Sequence, residues 1–329
     1  MLNKFEYVKP STVDQALSHL GRLGKEAKVL AGGTDLIIQI KKRRASPRYL
    51  IDLMSISELD QIQDRDGETW IGSTVTLTTL EKSALVKNRF RSLRNAAQVI
   101  ATPQLRNMGT VGGNLCVETR CKFMDFSHPW GREISDKCFK REGNVCHVVK
   151  GADRCHAIMA GDLATILIAL GSRVVVKGQS EKVMFLEDFY TGNGKEITKL
   201  NVNELVTNIR IPSLPPHSGA SFLKYRWRES LEFPIVSAAA WVVKDPKHGT
   251  CQEVRLVLGA LASAPLRLKR AENLLRGKMP NDGTIEEAVE EGIKGIPIVS
   301  CSGLPVNYIR SMARTFSLKA VKEAYETAH

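Results

Sequence analysis

Two short segments of similar design most constrain what this chain can fold into. LAGGTDL at residues 30–36 and GTVGGNL at residues 109–115 each place paired glycines beside threonine or asparagine, after an apolar run. Backbone N–H groups without a Cβ in the way can close on a pyrophosphate, and hydroxyl or amide side chains add donors. Neither segment is a GxGxxG fingerprint or a Walker loop. One glycine pair is typical of a plain turn, but two favour a dinucleotide cofactor.

Five of the seven cysteines are concentrated between Cys116 and Cys155, and only Cys251 and Cys301 lie elsewhere. An odd number of cysteines fits poorly with a fully paired, secreted disulfide framework. In a cytosolic protein, thiols grouped in this way are typical of a metal site or of redox chemistry. This part of the chain is therefore a candidate metal centre.

The net charge of +12 raises the question of nucleic-acid binding. The lysines and arginines are dispersed, with small clusters at residues 41–44 and 267–270, and no nucleic-acid-reading motif is present. A basic surface equally suits an acidic redox partner or a phosphate-bearing cofactor. No run of 18 apolar residues and no signal-type N-terminal stretch occurs, so we expect a cytoplasmic protein outside the membrane.

Helical and strand patterns alternate along the chain without an internal repeat. Ser11 and Thr12 precede a helical pattern to Leu20, as capping residues do, and the prolines at 212, 215 and 216 indicate a linker. Strands are predicted at residues 27–31, 49–53, 70–72, 173–177, 238–243 and 251–259, and further helices at 79–86, 92–100, 163–170, 267–275, 284–291 and 308–327. The predicted architecture is α+β, with a smaller sheet-and-helix domain after about Pro216.

LAGGTDL, NMGTVGGNL and AGDLATILIAL resemble segments of the flavin-binding subunits in the xanthine dehydrogenase family of molybdenum hydroxylases. The resemblance continues at residues 222–240 and 258–277 and in the closing helix, so it covers almost the whole chain. It implies a PCMH-type FAD-binding domain over residues 1–217, in subdomains of about 1–57 and 58–217. A C-terminal domain of the CO dehydrogenase flavoprotein type, with an antiparallel sheet and helices, is implied over residues 218–329.

The resemblance also implies which residues bind FAD. The first glycine segment would wrap the diphosphate together with the second, and Asp162 would bind the ribityl or ribose part. Lys224 would lie near the isoalloxazine, although a solvated strand lysine is the alternative. The implied residues are Ala31, Gly32, Gly33, Thr34, Asp35, Thr110, Gly113, Asn114, Asp162 and Lys224.

About 45 residues separate the second glycine segment from the AGDL segment, where most of that family has a short loop. This insertion, residues 116–158, shows little apolar periodicity, so it needs a staple such as a metal centre to fold. Four thiolates suit zinc or an iron–sulfur cluster. The cysteine spacings of four, sixteen, seven and eight residues lack CxxC knuckles, and a flavin neighbour favours a redox cluster over zinc or free thiols.

The predicted ligands of a [4Fe–4S] cluster are Cys121, Cys138, Cys146 and Cys155. Cys116 directly follows the glycine segment and is the least free to turn towards a cluster, so it is interpreted as a small buried hydrophobe. The choice between Cys116 and Cys121 stays open at this level. The histidines of the insertion are expected to form hydrogen bonds or face solvent: His128, His147 and His156.

The insertion narrows the resemblance to the β subunits of 4-hydroxybenzoyl-CoA reductases, which carry FAD and an additional [4Fe–4S] cluster in such an insertion. This implies a molybdopterin-binding large subunit and a small subunit with two [2Fe–2S] clusters as partners, in a dimer of heterotrimers. It further implies removal of the phenolic hydroxyl from 4-hydroxybenzoyl-CoA with electrons from a ferredoxin-like donor.

The expected function is electron transfer, because flavin holds one or two electrons whereas an iron–sulfur cluster passes one at a time. No catalytic acid–base residue is predicted, and the substrate site is expected on a partner subunit. One alternative is the flavin subunit of a related oxidative molybdenum hydroxylase, which a second one-electron cluster argues against. The other is a zinc-stabilised nucleic-acid-binding module, which the two glycine segments argue against.

Overall fold

The computed structural model describes residues 3–123, 137–300 and 303–329. His128 and Cys301 lie outside these residues. Within them, the strands form three separate sheets, and helices pack on each sheet. The α+β class expected from the sequence is confirmed. No helix in the described part of the chain is long and apolar enough to cross a membrane.

The first sheet is small and parallel, and it ends beside the first glycine segment. Thr12 accepts a hydrogen bond from the backbone N–H of Gln15 (3.2 Å) and caps the first helix, as predicted. The elements are β1 (Glu6–Val8), α1 (Val13–Leu23), β2 (Ala27–Leu30), α2 (Leu36–Lys41) and β3 (Tyr49–Asp52). The order is β1-β3-β2, and the glycine segment follows the carboxyl end of β2, where parallel sheets bind ligands.

The second sheet is antiparallel, and its helices surround the second glycine segment. Its strands are β4 (Ile62–Arg65), β5 (Glu68–Gly72), β6 (Arg173–Lys177), β7 (Glu181–Phe185) and β8 (Leu205–Pro212), in the order β4-β5-β8-β6-β7. The helices are α3 (Leu77–Lys82), α4 (Ala84–Arg89), α5 (Arg91–Gln98), α6 (Pro103–Arg106), α7 (Val111–Leu115), α8 (Asp162–Ala169) and α9 (Leu186–Phe189). Short 3₁₀ helices occur at Gly24–Glu26, Ser57–Leu59 and Phe139–Arg141.

The third sheet is antiparallel and is covered on one face by the last helix. It contains β9 (Ser218–Tyr225), β10 (Val236–Lys244), β11 (Cys251–Gly259) and β12 (Leu266–Arg267), in the order β12-β11-β10-β9, with α10 (Lys269–Leu275), α11 (Asp282–Ile293) and α12 (Val306–Glu326). Strand β10 is buried on both faces. Ala239 and Trp241 pack into the core of the second region, whereas Ala238 and Ala240 pack into the core that contains α12.

Helix α8 connects the second and third regions. All eight of its residues are buried, because it packs against α5 and α7 and also against β10 and β11. A helix that is apolar all round belongs in the interior. The start of α8 is thereby held between the second sheet and the C-terminal region.

Two local predictions differ from the structure. The helix predicted at residues 79–86 is two helices, because the Ser83 hydroxyl accepts a hydrogen bond from the backbone N–H of Val86 and starts α4. The second glycine segment, predicted as a loop, forms the one-turn helix α7. The Thr110 hydroxyl caps this turn, which offsets the poor helix propensity of its two glycines.

Two glycine-to-alanine substitutions are expected to change stability in opposite directions. Gly21 lies inside α1 with open space where a Cβ would stand, so Gly21→Ala should stabilise by about 0.5–1 kcal/mol. A Cβ at Gly219 would stand 2.0 Å from the carbonyl oxygen of Ala324 in α12, so Gly219→Ala should cost about 1–3 kcal/mol. Urea unfolding midpoints measure both, and equal shifts would contradict this packing of β9 on α12.

Candidate cofactor sites

A cavity of about 600 Å³ opens where the carboxyl end of the first sheet meets the second region. This volume is typical of sites for small-molecule cofactors. Nine of the ten predicted FAD-binding residues line it, and Lys224 does not. Its wall contains both glycine segments, the start of α8 and residues 231–233 of the β9–β10 connection. We refer to it as the flavin cavity.

The first glycine segment presents backbone donors to the flavin cavity. Within the described residues, no acceptor binds the backbone N–H groups of Gly32, Gly33 and Thr34. Gly33 has φ +70°, in the left-handed region that favours glycine. Backbone N–H groups in such a turn form a concave site for an anion. This segment therefore has the donor geometry expected for a diphosphate.

The two glycine segments touch each other. A Cβ at Gly32 would stand 1.6 Å from the carbonyl oxygen of Met108, directly before the second segment. Only glycine permits this approach without a backbone shift. The absent side chain therefore joins the first sheet to the second region at the cavity wall.

The second glycine segment has a different role from the one predicted. Its backbone donors already have acceptors: Gly113 donates to the Thr110 hydroxyl (3.1 Å), and Gly112 donates to the carbonyl oxygen of Ser73 (2.8 Å). The Asn114 carboxamide oxygen accepts from the backbone N–H of Leu163 (3.0 Å) and so caps α8. These residues line the cavity, but their placed hydrogen bonds brace its wall.

Asp162 is a buried carboxylate at the start of α8. Its Oδ2 lies 2.9 Å from the Lys224 ammonium, and both side chains are 3% exposed. Its Oδ1 has no partner within the described residues, although the residue lines the flavin cavity. Burial raises the pKa of Asp162, and the Lys224 charge opposes that rise.

Lys224 lies behind Asp162 and outside the cavity wall. Its ammonium also donates to the carbonyl oxygen of Val99 (3.2 Å). The predicted place beside the isoalloxazine, and the alternative of a solvated strand lysine, both differ from this buried position. Lys224 acts on the cavity through the carboxylate that it orients.

The carboxylate of Asp35 serves the glycine segment itself. It accepts from the Gln39 carboxamide (2.7 Å) and forms an ion pair with Arg120. The Arg120 guanidinium lies 4.5 Å from the ring centroid of Phe233, across the cavity wall. Arg120 was not predicted, and it gives this wall a cation that suits an anionic cofactor.

Sequence reasoning also missed Ser73 and Thr74. Both are buried and line the flavin cavity, and their hydroxyl oxygens have no partner within the described residues. Buried polar groups are normally satisfied, so these hydroxyls fit a bound ligand with polar atoms. The available signal was a polar pair directly after the predicted strand at residues 70–72.

The four predicted cluster cysteines line one narrow second cavity, which we call the cysteine cavity: Cys121, Cys138, Cys146 and Cys155. The first, second and fourth are buried. Cys116 lines the flavin cavity instead, and burial raises the pKa of its thiol to about 12. His147 lies in the wall of the cysteine cavity, whereas His156 does not.

The arrangement of these thiols differs from a site for one metal ion. In the described part of the chain, no three His, Cys, Asp or Glu side chains converge as a single ion requires. Zinc takes its thiolates at about 2.3 Å from one point. A [4Fe–4S] cluster also takes four thiolates, but its larger body holds them farther apart. The donor set and its spacing fit the cluster better than zinc.

The base of the insertion is fixed to the flavin cavity. Arg120 and Ile158 exchange backbone hydrogen bonds of 2.7 and 2.8 Å, which close the insertion at its base. The Thr119 hydroxyl donates to the carbonyl oxygen of Gly194 (2.6 Å), and the Gly194 N–H donates to that of Cys155 (2.8 Å). Consecutive residues, Arg120 and Cys121, thus line the two cavities.

Comparisons with known proteins agree with this arrangement. The model of the FAD binding domain in molybdopterin dehydrogenase matches residues 3–214, and that of the CO dehydrogenase flavoprotein C-terminal domain matches residues 221–324. The chain is 27% identical over 279 residues to the nicotinate dehydrogenase FAD-subunit of Eubacterium barkeri, covering 84% of this chain and 81% of that one.

Further relatives show the same pattern. The aldehyde oxidoreductase FAD-binding subunit of Escherichia coli is 30% identical over 290 residues, covering 82% of this chain and 86% of that one. A solved structure of carbon monoxide dehydrogenase from Hydrogenophaga pseudoflava superposes with a TM-score of 0.83 at 25% identity, covering 100% of both chains.

The hydroxyl of Thr74 is expected to contribute to flavin binding. Thr74→Val keeps the side-chain shape and removes one buried hydroxyl, so it should weaken FAD binding by about two- to tenfold. Thr69 is the matched control, because its hydroxyl is also buried without a partner in the described residues but lies away from the cavity. Flavin fluorescence titration of both apo-variants measures the effect, and equal affinities would refute it.

Proposed function

Since the chain belongs to the FAD-binding subunits of the molybdenum hydroxylase family, and is therefore an oxidoreductase subunit, we propose that it transfers electrons between FAD and a [4Fe–4S] cluster. When bound, FAD supplies one- and two-electron chemistry and the cluster one-electron chemistry. The chain's own residues would hold both groups close together. The substrate site belongs to a partner subunit in this proposal.

The flavin cavity would hold FAD through residues of three elements. The backbone N–H groups of Gly32, Gly33 and Thr34 would bind the diphosphate, because they lack acceptors within the described residues. The unpartnered Oδ1 of Asp162 would accept a hydrogen bond from a ribityl or ribose hydroxyl. Lys224 would keep that carboxylate oriented from behind.

One observation carries the cluster proposal: four cysteines far apart in sequence line a single cavity. That cavity begins one residue from the flavin cavity, since Cys121 follows Arg120, and consecutive Cα atoms are about 3.8 Å apart. A short path between the two groups favours electron exchange. Cys116 is excluded from the proposed ligand set because it lines the flavin cavity.

We propose that the complex works as a 4-hydroxybenzoyl-CoA reductase, with this chain in the role of its β subunit. The partners would be a molybdopterin-binding large subunit and a small subunit with two [2Fe–2S] clusters, in a dimer of heterotrimers. A ferredoxin-like protein would supply electrons one at a time. The cysteine cavity supports this direction, because a one-electron centre matches a one-electron donor.

The second candidate is a flavin subunit of an oxidative molybdenum hydroxylase. The printed names of several relatives favour it, since they are dehydrogenases of nicotinate, carbon monoxide and 6-hydroxypseudooxynicotine. In that case electrons would leave a substrate and pass through FAD to an acceptor. The two candidates differ in the direction of electron flow and share the same flavin cavity.

The cluster ligands can be separated by alanine substitutions in the full chain. Anaerobically purified protein is expected to contain about four irons per FAD and to bleach with dithionite. Cys146→Ala should lose most of its iron, because a cluster needs all four thiolates. Cys116→Ala and Cys251→Ala should retain it. Iron, sulfide and zinc analysis with absorption spectra decides this, and zinc without iron would refute the cluster.

The direction of electron flow is testable in the assembled complex. With a reduced low-potential donor, the complex is expected to convert 4-hydroxybenzoyl-CoA to benzoyl-CoA, measured by chromatography. Nicotinate with an artificial electron acceptor provides the opposite assay. Turnover of nicotinate but not of 4-hydroxybenzoyl-CoA would reject the reductase and support the oxidative candidate.

A further inference from the structure

Lys140 is the one side chain with a permanent charge among the described residues that line the cysteine cavity. Its other neighbours there are thiols, apolar side chains and His147. The Lys140 side chain is only 9% exposed, so water screens its charge weakly. A buried cation therefore stands beside the four thiols.

The ammonium of Lys140 points to the segment between the two cavities. It lies 2.6 Å from Glu118 Oε1 and donates to the carbonyl oxygen of Thr119 (3.0 Å). Glu118 lines the flavin cavity, and its backbone N–H donates to Asp35 in the first glycine segment (3.4 Å). Lys140 thus belongs to the wall of one cavity and contacts the wall of the other.

We propose that Lys140 sets the potential of the centre in the cysteine cavity relative to the flavin. This inference rests on the proposed [4Fe–4S] cluster. Reduction adds one electron and one negative charge to the four-thiolate site, with no bond formed or broken. A nearby fixed cation stabilises the more negative state, and net charge is one of the features that set cluster potentials. Lys140 is therefore a positioning residue for electron flow rather than a ligand.

Glu118 gives the proposal a second, opposite sign. Its carboxylate is 39% exposed and partly neutralises Lys140. Without the Lys140 charge, the reduced cluster should become less stable. Without the Glu118 charge, the same cation acts with less compensation, so the reduced cluster should become more stable. A residue that only holds the fold would not produce shifts of opposite direction.

The test uses the anaerobic holo-chain, with the cluster followed by electron paramagnetic resonance and the flavin by absorption during a redox titration. Lys140→Met should shift the cluster–flavin electron distribution about tenfold towards reduced flavin, equivalent to about 59 mV for one electron. Lys140→Arg should restore the wild-type value, and Glu118→Gln should shift the cluster potential upwards. Lys195→Met is the matched control, because Lys195 pairs with Glu142 of the same insertion (2.9 Å) and lies outside the cysteine cavity.

Each outcome decides between the two levels of the proposal. Shifts of opposite sign for Lys140→Met and Glu118→Gln, with rescue by Lys140→Arg, support the role of Lys140. Unchanged potentials in variants that keep their iron overturn it and leave the electron-transfer function intact. If Lys140→Met fails to retain iron, Glu118→Gln and Lys140→Arg still decide. Wild-type protein without iron would refute the cluster and this inference together.

Discussion

The buried ion pair between Asp162 and Lys224 is the interaction on which the arrangement of this protein depends. Asp162 begins α8, where a carboxylate is favourable for the helix dipole, and Lys224 belongs to the C-terminal sheet. Removing one member of a buried pair leaves an uncompensated charge. The pair therefore ties the C-terminal region to the flavin cavity through the same carboxylate that faces the cofactor.

The two glycine segments divide the work around that carboxylate. The first leaves backbone donors open to the cavity, whereas the second spends its own on Thr110 and Ser73. The second segment also caps α8 through Asn114. One glycine segment binds the ligand in our proposal, and the other fixes the helix that carries Asp162.

The insertion is part of the flavin site rather than an appendage. Its first residues form the cavity wall, and its base is closed by the bridge between Arg120 and Ile158. Residues 118–121 therefore face two cavities in turn. This geometry explains how one chain could place a flavin and a cluster within a short distance, and why Lys140 contacts both.

Sequence alone determined the features that depend on neighbouring residues. The cap at Thr12, the strands at residues 173–177 and 251–259, the α+β class and the existence of two glycine segments follow from local patterns. The edge strand β7 was missed because its burial is too slight to give an apolar pattern.

Only the tertiary structure decided which distant groups meet. Cys116 and Cys121 are five positions apart, yet they face different cavities. Lys224 lies behind Asp162, and Ser73 and Thr74 join the wall, because these positions depend on contacts between elements far apart in the chain. Local pattern fixes which face of an element is apolar, whereas the partner of a polar side chain is set by long-range packing.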